Sequence, residues 1–80
     1  MNILIIEDEV RVADIMTKYL EKENYKVFYA YTGREGLDLF YKNKIDVVLL
    51  DLMLPDIQGE DICKEMRSLY LYDYSKRDTG

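Results

Sequence analysis

Histidine is absent from the 80 residues, and cysteine and proline occur once each, as Cys63 and Pro55. Without an imidazole there is no Ser-His or Cys-His nucleophile pair and no imidazole general base. A single cysteine and no histidine leave a structural zinc site almost without ligands. Cys63 has no partner within the chain for a disulfide, which suits a reducing compartment. No apolar run approaches the ~18 residues of a membrane span, and no basic stretch precedes the apolar N-terminus. The expectation is a cytoplasmic protein with no membrane contact. Basic residues are also outnumbered: 11 Lys and Arg stand against 16 Asp and Glu, a net charge of −5. That balance argues against nucleic-acid binding through a basic face. It points instead to carboxylate chemistry, whose natural partners are hard cations such as Mg2+.

What the chain does have is apolar mass. Hydrophobic residues make up 49% and charged residues 34%, which fits a packed domain and not a disordered one. Residues 1–80 suffice for one domain, and at this size only roughly 60–65% of the unfolded chain's surface becomes buried. Every element therefore counts.

Ile3-Leu4-Ile5-Ile6 is a short apolar run, mostly β-branched, of the kind buried on both faces of a parallel sheet. It stops at Glu7-Asp8-Glu9. From Val10 to about Glu23 the apolar positions Val12, Ile15, Met16, Tyr19 and Leu20 form a helical stripe, which Asn24 ends. Tyr25 to Ala30 reads as a second strand. Thr32 and Glu35 have the spacing of a capping box, so a second helix starts there, with Leu37, Phe40 and Tyr41 on its buried face. Ile45 to Leu50 is a third strand, closed by Asp51. A loop from Leu52 to Gly59 turns about Pro55. Ile62, Met66 and Leu69 then mark a third helix. Tyr70, Tyr72 and Tyr74 alternate with Leu71 and Asp73. They read either as cover for apolar surface at the chain's end or as a pairing strand. The six residues after them are polar.

Three strand–helix units in alternation predict an α/β fold with a doubly wound parallel sheet. In such sheets ligands bind beyond the carboxyl ends of the strands, where the strand order reverses. The first strand ends in Glu7-Asp8 and the third in Asp51. If those strands are neighbours, three carboxylates converge and repel one another unless a cation joins them. Mg2+, an oxygen-seeking ion that keeps water ligands, suits such a set. The plainer reading is that Glu7 to Glu9 begin a helix, where its dipole favours acids.

Ile3 to Ile6 followed by Glu7-Asp8, and Val47-Val48-Leu49-Leu50-Asp51-Leu52-Met53-Leu54-Pro55 with Gly59 four positions on, resemble the receiver domain of bacterial two-component response regulators. The resemblance covers residues 1–67; residues 68–80 form a divergent Tyr-rich, polar tail. It implies a flavodoxin-like sheet, here incomplete, with three βα units in the strand order 2-1-3. It implies that Asp51 is the phosphoacceptor, receiving a phosphoryl group from a histidine kinase. It also implies that Asp8 binds Mg2+ directly, that Glu7 assists through water, and that the Met53 backbone carbonyl and Asp51 complete the protein ligands. The metal offsets charge on both reacting partners. Longer relatives often carry a DNA-binding output domain for transcription regulation, which these residues do not encode.

The family has five βα units. Its Ser or Thr after strand 4 and its Lys after strand 5 have no counterpart here, since Ser75, Lys76 and Thr79 end no apolar strand. The resemblance thus implies a chain truncated after the third unit, with an impaired switch. Strand 3 would become an exposed apolar edge, which favours a homodimer through that edge or through the Tyr-rich tail. Two other functions compete. One is a non-catalytic, self-associating fragment or kinase decoy. The other is an aspartate-nucleophile phosphohydrolase, which needs a second acid where Met53 stands. The preferred reading is a signalling receiver and not an enzyme.

Overall fold

The computed structural model describes residues 1–51, 54, 56, 57, 61, 62, 64, 66 and 70–73. Its elements run β1 (Asn2–Ile6), α1 (Val10–Lys22), β2 (Lys26–Ala30), α2 (Gly33–Lys42), β3 (Val47–Leu50) and β4 (Tyr70–Asp73). Asp61, Ile62 and Lys64 are helical as well, and the Met66 N–H donates to the Ile62 carbonyl at 3.0 Å. The predicted third helix thus exists at Ile62, with Met66 in a turn bonded back to it; Leu69 lies outside the described residues.

All strand pairs are parallel, in the order β2-β1-β3-β4. The predicted order 2-1-3 is present, with a fourth strand added beyond it. That strand corrects one expectation. Val47 to Leu50 pair with Tyr70 to Asp73, so strand 3 is not an exposed edge and does not offer itself to a second copy. The alternating Tyr-Leu-Tyr-Asp segment satisfies the backbone groups that an edge would leave open.

The larger core lies between the sheet and α2. Leu4, Ile6, Val48 and Leu50 meet Ile45, Leu54, Ile62 and Met66 there, with Phe28, Leu37, Leu39, Phe40 and Ile57 packed around them. Tyr41 does not join this core: it is 64% exposed, because α2 turns Leu37 and Phe40 inward and leaves Tyr41 on the outer side. Gly36 sets how closely α2 approaches. A Cβ there would lie 2.7 Å from Ile6 Cγ1, inside any van der Waals contact, so only glycine lets the helix sit on β1.

On the opposite sheet face α1 rests on two small residues, Ala13 and Thr17. The buried Thr17 hydroxyl donates to the Ala13 carbonyl at 2.7 Å and is thereby satisfied. The apolar stripe read from the sequence lies to one side of this contact. Val12, Ile15 and Tyr19 are exposed, and an open apolar groove of about 260 Å3 runs along Ile15, Met16, Tyr19, Leu20 and Leu49. α1 ends in a Schellman arrangement. The Tyr25 N–H donates to the Leu20 carbonyl and the Asn24 N–H to the Glu21 carbonyl, while Asn24 takes the left-handed φ of 70°. Among the described residues no helix is long and apolar enough to cross a membrane.

Candidate metal and phosphoacceptor site

Strand register brings the site together. Ile6 lies opposite Leu50 in the parallel β1–β3 ladder, so Glu7 and Asp51 leave the sheet side by side at its carboxyl edge. Backbone hydrogen bonds carry the pairing one step beyond the strands. The Asp51 N–H donates to the Ile6 carbonyl at 3.1 Å, and the Glu7 N–H donates to the Ala30 carbonyl of β2 at 3.0 Å. β1 has its sequence neighbour β2 on one side and β3 on the other, so the loops beyond it diverge and open a crevice.

Glu7, Asp8 and Asp51 each place a carboxylate oxygen within 4.8 Å of the others. Glu7 is buried, Asp51 half-buried and Asp8 exposed, so the set runs from the core to solvent. Glu7 is aimed locally: its Oε2 accepts the Glu9 N–H at 2.9 Å, just ahead of α1. The plainer reading of these acids therefore holds for one bond, since Glu7 does accept a backbone N–H at the helix entrance. It does not account for Asp51 arriving beside them from 43 positions away along the chain. Direct ligands of Mg2+ at about 2.1 Å stand at most about 4.2 Å apart. Three oxygens spread over 4.8 Å fit such an ion if one carboxylate acts through water, the role expected of Glu7. Met53, expected to lend its carbonyl, lies outside the described residues, as do Pro55, Gly59, Cys63, Ser75, Lys76 and Thr79.

One carboxylate in the segment after β3 was not foreseen. Asp56 accepts the Gly33 N–H at 2.8 Å through Oδ1 and the Arg34 N–H at 3.0 Å through Oδ2. It thus ties the segment after β3 to the start of α2. Desolvation acts to raise its carboxyl. The N–H groups of Gly33 and Arg34, with those of Asp56 itself and Ile57, outweigh that effect and hold it below the usual carboxylate range. The predicted capping box is present next to it. Thr32 is the N-cap, and its Oγ1 accepts the Glu35 N–H at 3.1 Å. Together these bonds occupy the first three free N–H groups of α2. Beyond β2, the Tyr31 ring lies 5.4 Å from that of Tyr29, tilted 57° to it. Desolvation, the Tyr29 hydroxyl and the charges of Asp14 and Glu35 raise its phenol.

The family model described as response regulator receiver domain matches residues 3–74. The chain belongs to the response regulator receiver domain family. Solved receiver structures agree. A receiver domain from Clostridium thermocellum superposes with a TM-score of 0.84 at 29% identity, covering 98% of this chain and 69% of its own length. The non-phosphorylated HemR receiver domain from Leptospira biflexa gives 0.78 at 34% identity, covering 84% and 54%. A response regulator from Thermotoga maritima in complex with Mg2+-BeF gives 0.79 at 27% identity, covering 96% and 74%. The chain spans about half the length of several receiver structures it matches. Membership confirms the flavodoxin-like reading of the sheet and ties the chain to two-component signalling.

Proposed function

We propose that this receiver domain is a phosphoacceptor in two-component signalling, with Asp51 as the acceptor and Mg2+ as the metal. The observation that carries this reading is the convergence of Glu7, Asp8 and Asp51 within 4.8 Å at the carboxyl edge of the sheet. The Mg2+-BeF complex of the Thermotoga neighbour supports the choice of cation. Glu7, Asp8, Asp51 and the Met53 carbonyl would hold the ion, which offsets negative charge when a carboxylate meets a phosphoryl group. A histidine kinase is the proposed donor. An Oδ atom of Asp51 forms a bond to phosphorus as the phosphorus–nitrogen bond of the donor imidazole breaks. The electron pair stays on nitrogen, which takes up a proton. Asp51 contributes the nucleophile and the strand register holds it in place through its N–H bond to Ile6. The domain is a signalling receiver and not an enzyme on this reading.

The family's switch hydroxyl and its Lys belong after a fourth and a fifth strand, and four strands form among the described residues. Self-association is the second reading. It draws on β4, the Tyr-rich strand that forms the outer edge of the described sheet.

Intact-mass spectrometry after incubation with acetyl phosphate and Mg2+ tests the first reading. A phosphoryl adduct on the parent chain and none on Asp51→Asn supports it. A folded parent chain that gains no adduct overturns it.

A further inference from the structure

Three hydrogen bonds tie together the chain stretches that carry and flank the acidic site. The Asp51 N–H binds the Ile6 carbonyl, the Glu7 N–H binds the Ala30 carbonyl, and the Gly33 N–H binds Asp56. Short stretches of chain join them: residues 6–7, 30–33 and 51–56. The first two bonds extend the sheet and are backed by whole strand ladders. The third is different, because a side chain makes it, and it fixes the far end of the segment that leaves Asp51. Between its ends that segment is anchored by Leu54, 9% exposed in the core. Gly33 is pressed against the same region: a Cβ there would lie 3.0 Å from Ile57 Cβ and 3.0 Å from Ile62 Cδ1. Asp56 therefore holds its own position against the start of α2 at a place where the packing of Gly33 allows little slack.

We propose that Asp56 is a positioning residue for the metal site: by bridging the Gly33 and Arg34 N–H groups it fixes position 56, five residues after Asp51, against α2 and so sets the affinity for Mg2+. The proposal rests on the reading of Glu7, Asp8 and Asp51 as a Mg2+ site. Groups that orient ligands without touching the metal typically change affinity about 10- to 100-fold when removed. Asp56 acts through the chain and not by a direct bond, so the lower figure is the expected one. Its bridging geometry needs both oxygens. Asp56→Asn keeps one acceptor and exchanges the other for a donor that faces the Arg34 N–H.

The test is an Mg2+ titration of the full chain, followed through the amide signals of Glu7, Asp8 and Asp51. Three variants are compared with the parent: Asp56→Ala, Asp56→Asn and Thr32→Ala. Thr32→Ala removes a cap from the same helix but no bond to segment 51–56, so it reports the effect of a weakened α2 alone. Should Asp56→Ala fail to fold, Asp56→Asn carries the comparison. The expected result is an Mg2+ dissociation constant about tenfold higher in the Asp56 variants and unchanged in Thr32→Ala. Equal weakening in all variants, or none in the Asp56 variants while the parent binds Mg2+, overturns the proposal and leaves the metal site standing. No Mg2+ binding by the folded parent overturns the metal reading and this proposal with it.

Discussion

Replacing Asp8 by Asn leaves the shape of the acidic site intact and removes one of its three charges. The oxygens of Glu7, Asp8 and Asp51 lie within 4.8 Å of one another, so Asp8 faces two like charges. A pair of unit charges at that distance repels by roughly 0.9 kcal/mol in a water-like medium and roughly 3.5 kcal/mol at an effective dielectric of 20. Asp8 is exposed, which places it near the lower figure. With two pairs relieved and screening over a Debye length of ~10 Å at 0.1 M salt, about 1 kcal/mol of stability is gained. For a domain of this size that raises Tm by about 4–8 °C. The assay is thermal unfolding by circular dichroism in a chelator, repeated in 20 mM MgCl2. In the chelator the variant melts higher. In Mg2+ the order reverses, because an ion that binds only the folded parent stabilises it by mass action. At 1 M NaCl the chelator difference shrinks toward zero, since the Debye length falls to about 3 Å. A variant less stable than the parent in chelator, or an equal Mg2+ effect on both, would refute the reasoning.

Gly36→Ala places a methyl group against the fully buried Ile6, at a cost of about 1–3 kcal/mol. The gain in helix propensity returns at most about 1 kcal/mol, so a lower Tm is expected; an unchanged or higher one contradicts the tight α2–β1 contact. Asp56 has a depressed folded-state pKa, so its contribution is fully present above 3.8, its ordinary value, and is lost as pH falls through the folded one. Asp56→Asn is expected to lose about 1 kcal/mol at pH 7 through the lost helix-start bond, with the gap to the parent closing as pH falls below 3.8 in acid unfolding curves. A gap that stays constant over that range argues against the helix-start bonds. Removing residues 68–80 strips β4 from β3. Sedimentation is expected to show concentration-dependent association of the shortened chain, whereas a clean monomer would mean that the bare β3 edge is harmless.

The acids of the site were legible for a specific physical reason. In a parallel sheet the carboxyl ends of neighbouring strands lie at one level, so two apolar runs that both end in acid bring those acids together. Ile6 opposite Leu50 is that statement in structural form. The capping box at Thr32 was legible because its partners are three residues apart. Asp56 was not, because its partners, Gly33 and Arg34, lie 23 and 22 positions away and are backbone groups with no signature of their own. The seat of α1 was missed for a related reason. Periodicity marks large apolar side chains, whereas Ala13 and Thr17 make the contact because they are small. β4 sat on the boundary. Four residues with alternating tyrosines specify a strand only once β3 is there to receive them.

The two faces of the sheet carry different parts of this design. On the α2 face Ile6 and Leu50 are buried to within 1% of completely, and each is followed directly by a site residue, Glu7 and Asp51. The backbone of the two acids thus inherits the order of the best-packed part of the molecule, and close packing is what holds charged groups against mutual repulsion. The α1 face is looser. Val47 and Leu49 are only half-buried, and Ile15 and Tyr19 remain exposed beside the groove. Alternation sets the Glu7 and Asp51 positions on the face of Ile5 and Leu49, while their backbones follow directly from Ile6 and Leu50 in the tighter core. Asp8, one residue further toward α1, is the most exposed of the three. The acidic cluster therefore consists of two positions fixed by the core and one held by the turn into α1, so Asp8 is the member whose replacement disturbs the packing least.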